Sequence, residues 1–196
     1  MNIKTVFALA AAALSIIGFV PYIKDIFLLK TKPHLYTWLI WTITQGTAVS
    51  AIWFGGGSWG ALSLTIGTIF VTIVFLFSLK YGTKNITKSD TVILIAALCA
   101  ILIWWQLDAP LISVMMVTII DAVGYMPSFR KSYSEPWSET ATTWGIFAVS
   151  NIFAILALSE YNFLTTAYLV VITSMDILLL AFCLFRRQFI AKPKLS

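Results

Sequence analysis

The sequence predicts an all-α integral membrane protein of seven transmembrane helices, arranged as two parallel three-helix bundles joined by a linker helix. Three observations predict it. Hydrophobic residues make up 60% of the chain and charged residues 11%, with a mean hydropathy of +0.92, whereas an ordinary soluble domain carries roughly 25% charged residues. The 196 residues divide into apolar runs, each near the ~20 residues that a helical span requires. Finally, GFVPYIKDIFLLKTKPHLYTWLIW at 18–41 returns in altered form as GYMPSFRKSYSEPWSETATTWGIF at 124–147. Gly18 pairs with Gly124, Pro21 with Pro127, Lys24 with Arg130, Thr37 with Thr143, Trp38 with Trp144 and Gln45 with Asn151. The offset is constant (127 − 21 = 151 − 45 = 106). Such a repeat dictates the architecture.

In order, the apolar runs cover 5–23, 36–54, 60–79, 90–106, 109–128, 141–158 and 163–185. The first, an Ala-rich run behind Lys4, has the look of a cleaved signal peptide. Its match to the fifth run through the Gly and Pro positions predicts instead that it stays as a helix. Residues 1–80 then form the first three-helix repeat, 90–106 the linker helix, 109–186 the second repeat and 187–196 a cytoplasmic tail. Four runs separate the starts of the two repeats. Because that number is even, both enter the membrane in the same direction, as parallel repeats related by an axis along the membrane normal.

Charge sets the orientation. On the side holding the N-terminus and the loops near 55–59, 107–109 and 159–162, Lys4 is the one basic residue. The opposite side holds Lys24, Lys30, Lys32, Lys80, Lys84, Lys88, Arg130, Lys131, Arg186, Arg187, Lys192 and Lys194. Basic residues concentrate in cytoplasmic loops, so the N-terminus is expected outside and the C-terminus in the cytoplasm. This bias accounts for the net charge of +5 without a nucleic-acid partner, for which no basic domain exists. The basic tail is expected to meet anionic membrane lipids. Trp53, Trp59, Trp104 and Trp105 fall at outer ends of runs and Trp38, Trp137 and Trp144 at inner ends, as headgroup-level anchors do. Trp41, one turn deeper than Trp38, is a candidate for lining a cavity.

Polar residues inside the spans carry the functional signal. Among eight acidic residues only Asp121 and Asp176 stand well inside apolar runs. A charge at the centre of a membrane helix costs ~2.5–3.5 kcal/mol on an insertion scale, so such residues face the bundle interior and mark substrate or ion pathways. A rise of 1.5 Å per residue places Asp121 ~17 Å and Asp176 ~19 Å from the outer ends of their runs, and Gln45 and Asn151 ~14 and ~15 Å from the inner ends of theirs. All four thus fall near the midplane. Thr65, Thr68 and Thr72 share one face of the third run, and Ser174 lies beside Asp176. The plain alternative for the hydroxyls is interhelical hydrogen bonding at ~0.6 kcal/mol each. Pro21 and Pro127 each remove one intrahelical hydrogen bond near the inner end of a first helix, a candidate hinge in each repeat or simply a helix terminator.

Catalysis and metal chemistry find no basis in these residues. Cys99 and Cys183 have no CxxC or Cys/His spacing around them, and the single histidine, His34, lies in a loop with no Ser/His or Cys/His arrangement. No enzyme activity, cofactor or metal is expected.

Two three-helix units joined by one helix, each with a proline at the inner end of its first helix, a basic loop and a Thr-Trp start to its second, resemble the PQ-loop and SWEET superfamily over nearly the whole chain. The glutamine after the motif proline in PQ-loop proteins is Tyr22 in one repeat and Ser128 in the other, so the coupling of the superfamily's lysosomal amino-acid exporters does not carry over. KTKPH at 30–34 and DAVGYMPSFRKS at 121–132 more closely resemble a group of small bacterial membrane proteins. The resemblance implies a 3+1+3 bundle, a central solute site and a bacterial inner-membrane location. SWEET-type sugar facilitators place Trp and Asn around a pocket on the third helix of each repeat, where this chain has Thr68 and Ser174 with Asp176 and lacks that Asn. Nicotinamide riboside transporters share the plan and use Trp with Asn or Gln, to which Trp38, Trp41, Gln45, Trp144 and Asn151 are similar. KDEL-type receptors bind a peptide with the same architecture and do not transport it.

The expectation is a secondary transporter or facilitator of a small polar solute. Gln45, Asn151, Trp41, Thr68 and Ser174 are the candidate substrate contacts, and Asp121 and Asp176 the candidates for proton coupling or for pairing with a cationic group. The alternative is a non-transporting receptor or assembly protein. Homo-oligomerisation is left open.

Overall fold

A computed structural model describes residues 2–31, 33–82, 86–107 and 109–192, with the side chains of Asp90, Trp104, Trp105, Leu107, Pro127, Lys131 and Ser138 left aside. Lys32, Lys84 and Lys194 of the basic side lie outside the described residues, as do the side chains of Trp104 and Trp105 at the opposite side. The described chain is all-helical with no strand. Helices form over every apolar run: α1 (Ile3–Phe27), α2 (Leu35–Phe54), α3 (Leu62–Tyr81), α4 (Lys88–Leu107), α5 (Pro110–Gly124), α6 (Met126–Ser134), α7 (Ala141–Ala157) and α8 (Phe163–Arg187), with single 3-10 turns at Ser58–Ala61 and Pro136–Ser138. Four helical stretches, Ile3–Phe27, Ser58–Tyr81, Pro110–Ser134 and Phe163–Arg187, are long and apolar enough to cross a membrane.

Local chemistry fixes the helix ends. Asn162 forms a capping box with Thr165: its side chain accepts from the Thr165 N–H at 3.1 Å, and its own N–H is received by the Thr165 hydroxyl at 3.0 Å. His34 caps α2, its Nδ1 accepting from the Thr37 N–H at 3.4 Å. Pro110 opens α5 at a position where no N–H is needed. The α1 terminus turns through Leu29 at φ 56°, a left-handed conformation, with the Lys30 and Thr31 N–H groups both returning to the Asp25 carbonyl.

The fifth run departs from the expected single helix. It breaks into α5 and α6 at Tyr125, whose N–H turns back to the Ala122 carbonyl at 3.2 Å. A proline at 127 has no N–H to give to residue 123, so the α-helical ladder lapses there. Pro21, its sequence partner, stands inside the unbroken α1. The same residue type thus gives a broken helix in one place and a continuous one in the other.

α2 carries five threonines and serines within Leu35–Phe54 and still buries one face, because hydroxyls bond to carbonyls of their own helix. Thr42 donates to the Trp38 carbonyl at 2.8 Å, Thr47 to Ile43 at 2.9 Å and Ser50 to Gly46 at 2.9 Å.

Packing follows a simple scheme. α3 lies against both α1 and α2, and α8 against both α7 and α5, while α1 packs along α7 and α2 along α5. α4 rests on α5 and α2, where Ser113 donates to the Ala100 carbonyl at 2.7 Å. The α1–α7 contact is the most extensive and depends on small residues: Ala11 and Ala154 are fully buried together, and Ser150 donates to the Ala11 carbonyl at 2.7 Å. Small side chains let two backbones approach closely without a polar driving force. Gly18 is pressed against the Phe147 ring and Ile146, leaving no room for a Cβ.

Most of the interior falls into two large apolar clusters, with a smaller third of Ile40, Ala97 and Ile120 where α4 packs on α2 and α5. One gathers Ala11, Ile52, Ala61, Leu64, Leu158, Tyr168 and Ile172 towards the end that holds the α2–α3 and α7–α8 connections. The other gathers Phe19, Tyr22, Trp38, Trp41, Val71, Tyr125, Trp144 and Leu179 towards the basic end. Outward faces are apolar throughout, with Ile16, Ile17 and Val20 on α1, Ile95 and Leu102 on α4 and Leu178 on α8 all exposed. Contiguous apolar surface on this scale needs a lipid covering.

The ends are tied off differently. At the end with few charges, Lys4 donates to the Leu158 carbonyl at 2.8 Å, just past the C-terminus of α7, where a cation is favoured. At the basic end, Arg186 makes two bonds to the Tyr133 carbonyl, and Arg187 holds the Pro136 and Glu139 carbonyls at 3.2 and 2.9 Å. The C-terminal turn of α8 thereby clasps the α6–α7 connection.

Candidate functional site

Helical spacing brings one stripe from each of several helices to a common hollow. On α2 the stripe is Trp38, Trp41 and Gln45, and on α7 it is Trp144, Phe147 and Asn151 with Ser150. Steps of three and four residues keep these side chains on one face. Ser15 and Phe19 contribute from α1, Ser63, Leu64, Gly67 and Val71 from the start of α3, and Ile172 and Asp176 from α8. Tyr125 enters at the break after α5. Together they line a half-open hollow, about 530 Å³ when the solvent-open space at its mouth is counted, lying where the two larger apolar clusters meet.

Asp176 anchors the polar side. Its Oδ1 accepts from the Tyr125 hydroxyl at 2.8 Å and its Oδ2 from the Asn151 amide at 3.1 Å, and it is 2% exposed. α8, α7 and the α5 break therefore converge on one carboxyl group. The corresponding place between α1 and α3 holds carbon: Phe19 stacks on Phe70 with centroids 5.1 Å apart and planes 14° from parallel. Gly67 leaves room in front of Ser15 and Gln45, since a Cβ there would lie 3.4 Å from the Ser15 oxygen and 3.9 Å from Gln45 Oε1.

Aromatic rings close the basic end. Trp41 stands 5.4 Å from Tyr125 and 6.2 Å from Trp144, and Tyr125 stands 5.6 Å from Trp144, with Tyr22 and Trp38 behind them. Among the described residues Trp41 Nε1 has no hydrogen-bond partner; it is buried and packs over Gly124, where a Cβ would come within 2.7 Å of it. Trp144 Nε1 donates to Glu139 Oε1 at 3.3 Å; Glu139 is itself 5% exposed, and its carbonyl is the one held by Arg187. The ring cluster is thus backed by the α6–α7 connection.

The residues singled out in the sequence separate into two groups. Gln45, Asn151, Trp41 and Asp176 meet at the cavity. Thr68 and Ser174 do not: each turns its hydroxyl onto its own helix, to the Leu64 and Val170 carbonyls at 2.8 Å, and Ser174 is exposed. Both are outside the residues that line the cavity, and the preceding turn offers each hydroxyl a near acceptor. Asp121 is equally buried but lies outside the lining, where it accepts a hydrogen bond from Thr44; the Tyr168 hydroxyl faces it from α8 and stops short of hydrogen-bond geometry. Of the hinge candidates, Pro21 is inside α1 and Pro127 is in the first turn of α6, its side chain outside the described residues.

Sequence reasoning missed Tyr125, Ser15, Ser63 and Glu139. Tyr125 stood beside the Gly124 and Pro127 signals that mark the helix break, which was the available clue. Among the described residues no three His, Cys, Asp or Glu side chains gather as metal ligands, and Cys99 and Cys183 are not joined in a disulfide, the Cys183 thiol donating instead to the Ser132 hydroxyl at 3.3 Å. Compared with family models, with curated proteins and with solved structures, this chain matches none.

Proposed function

We propose that this protein is a secondary transporter or facilitator that carries a small polar solute across a bacterial inner membrane, through a seven-span 3+1+3 bundle of the PQ-loop and SWEET kind. The observation that carries the reading is the cavity in which Gln45, Asn151 and Asp176 meet between the helices. Polar groups at this depth have a cost, and they are kept where they serve a solute or ion path.

The packing scheme supports the same reading. Matching α1, α2 and α3 with α5, α7 and α8 turns the α1–α7 contact into the α5–α2 contact, and each third helix lies against its two partners in both sets. Parallel repeats of this sort place the solute at the interface between units and expose it to each side by rocking one unit against the other. In this reading the basic end is cytoplasmic and the N-terminus outside, α2, α4 and α7 complete the seven spans, the break at Tyr125 and the proline in α1 provide the give, and Asp176 is the better placed of the two carboxyls to couple a proton.

The test is side-specific access. Gln45→Cys, made in a background with Cys99 and Cys183 replaced by alanine, should react with a membrane-impermeant maleimide applied from either face of oriented vesicles. Reaction from one face alone overturns the carrier and favours a receptor with the same bundle. Reaction from neither overturns both.

A further inference from the structure

We propose that the solute is an organic cation, an ammonium or guanidinium head on a compact apolar body, whose charge sits against Asp176 and whose body rests on the Trp41, Tyr125 and Trp144 wall. This assignment rests on the carrier reading for passage across the membrane, though not for binding itself.

The charge inventory of the cavity makes the argument. Among the described lining residues, Asp176 is the one side chain that can carry a formal charge, and no Lys, Arg or His joins it. Its oxygens are held at 2.8 and 3.1 Å by the neutral donors Tyr125 and Asn151. Neutral donors orient the carboxyl without compensating a charge on it, so that in its ionised form the hollow carries a net negative charge. In a medium of low dielectric that charge attracts a cation far more strongly than it would in water. An anionic solute would meet the reverse.

The walls select the kind of cation. Trp41 and Trp144 stand at 77° to one another and Tyr125 is inclined 55° to Trp144, which makes an angled corner. Aromatic corners attract weakly hydrated cations through the negative faces of their rings. Asn151 already donates to Asp176 and Ser150 to the Ala11 carbonyl, while the opposite wall is the Phe19–Phe70 stack.

Paired probes of equal shape test this. The full-length protein in lipid nanodiscs is titrated by intrinsic tryptophan fluorescence with choline against 3,3-dimethylbutan-1-ol, methylguanidinium against methylurea, and 2-phenylethylammonium against 2-phenylethanol. In at least one pair the cation should bind about tenfold tighter than its neutral twin. Asp176→Asn should erase that preference while Tyr125→Phe, which leaves the carboxyl in place, keeps it. Gly67→Phe, which fills the hollow, should abolish binding of either twin and serves if Asp176→Asn does not fold. The assignment is overturned if no cation outbinds its twin, if the preference survives in folded Asp176→Asn, or, where that variant does not fold, if binding survives Gly67→Phe. Access at position 45 does not depend on solute charge. A cavity that alternates without preferring cations therefore sinks only the cation, and one that prefers cations without alternating sinks only the carrier.

Discussion

The Thr140 hydroxyl donates to Asp25 Oδ2 at 2.9 Å, joining the connection between α6 and α7 to the end of α1. Thr31 lies 3.5 Å from the same hydroxyl, and Arg187 holds the neighbouring Glu139 carbonyl from the α8 side. Removing the bond with Thr140→Val should lower stability by about 1–2 kcal/mol, as for a part-buried hydrogen bond to a charged group. It should also raise maleimide reactivity of Gln45→Cys from the basic face. Thermal unfolding in detergent and the labelling rate report the two effects, and Asp25→Asn combined with Thr140→Val should be less than additive.

The approach of α1 to α7 is set by Gly18, whose Cα faces the Phe147 ring. Gly18→Ala should destabilise by about 1–3 kcal/mol through overpacking. Phe147→Leu in the same molecule should recover most of the loss by opening the space. A thermal scan of the three variants decides this, and an additive double mutant would contradict it.

Asp121 and the hydroxyls outside the cavity make a contrasting pair of tests. Thr44 donates to Asp121 where both are buried, so Thr44→Val should cost about 1–3 kcal/mol by leaving a polar group without its partner. Thr68→Val and Ser174→Ala, whose hydroxyls serve only their own helix, should each change stability by less than about 0.5 kcal/mol. Solute binding should be unchanged in these last two.

Leu29 occupies a left-handed conformation at φ 56°, which costs a residue with a Cβ roughly 1–2 kcal/mol. Leu29→Gly should therefore recover part of that amount. Its side chain is 65% exposed, so little packing is lost in exchange. The same thermal scan should show a rise, and a fall would mean that glycine's freedom in the unfolded chain outweighs the relief.

Much of this architecture is legible in the chain because membrane helices are apolar runs, and their ends here carry recognisable signals in Asn162, Pro110 and the Gly124 to Pro127 stretch. Depth is legible too: counting residues brought Gln45, Asn151 and Asp176 to one level. Rotation about the helix axis is not. A membrane helix is apolar on all sides, so nothing in the composition around Asp121 and Asp176 says which of them turns to the cavity. Hydroxyl periodicity on α3 misleads for a related reason, since a threonine at any point on a helix can bond to the carbonyl four residues earlier. Tyr125 reads from sequence as ordinary apolar bulk, and only three-dimensional proximity gives its hydroxyl a role. Glu139 reads as a loop residue; its burial under Trp144 follows from how the α6–α7 connection folds inward.

The contrast between the Phe19–Phe70 stack and the Tyr125–Asp176 hydrogen bond has a consequence for anything that enters. Although the helices are laid out alike on both sides, the two walls offer unlike chemistry, oil on one and a carboxyl group on the other. For the proposed carrier, a guest with a head and a tail would thus be held in a single pose, head toward α8, whichever door it came through. On that reading the two units supply the hinge, and the divergence between them supplies the handedness of recognition.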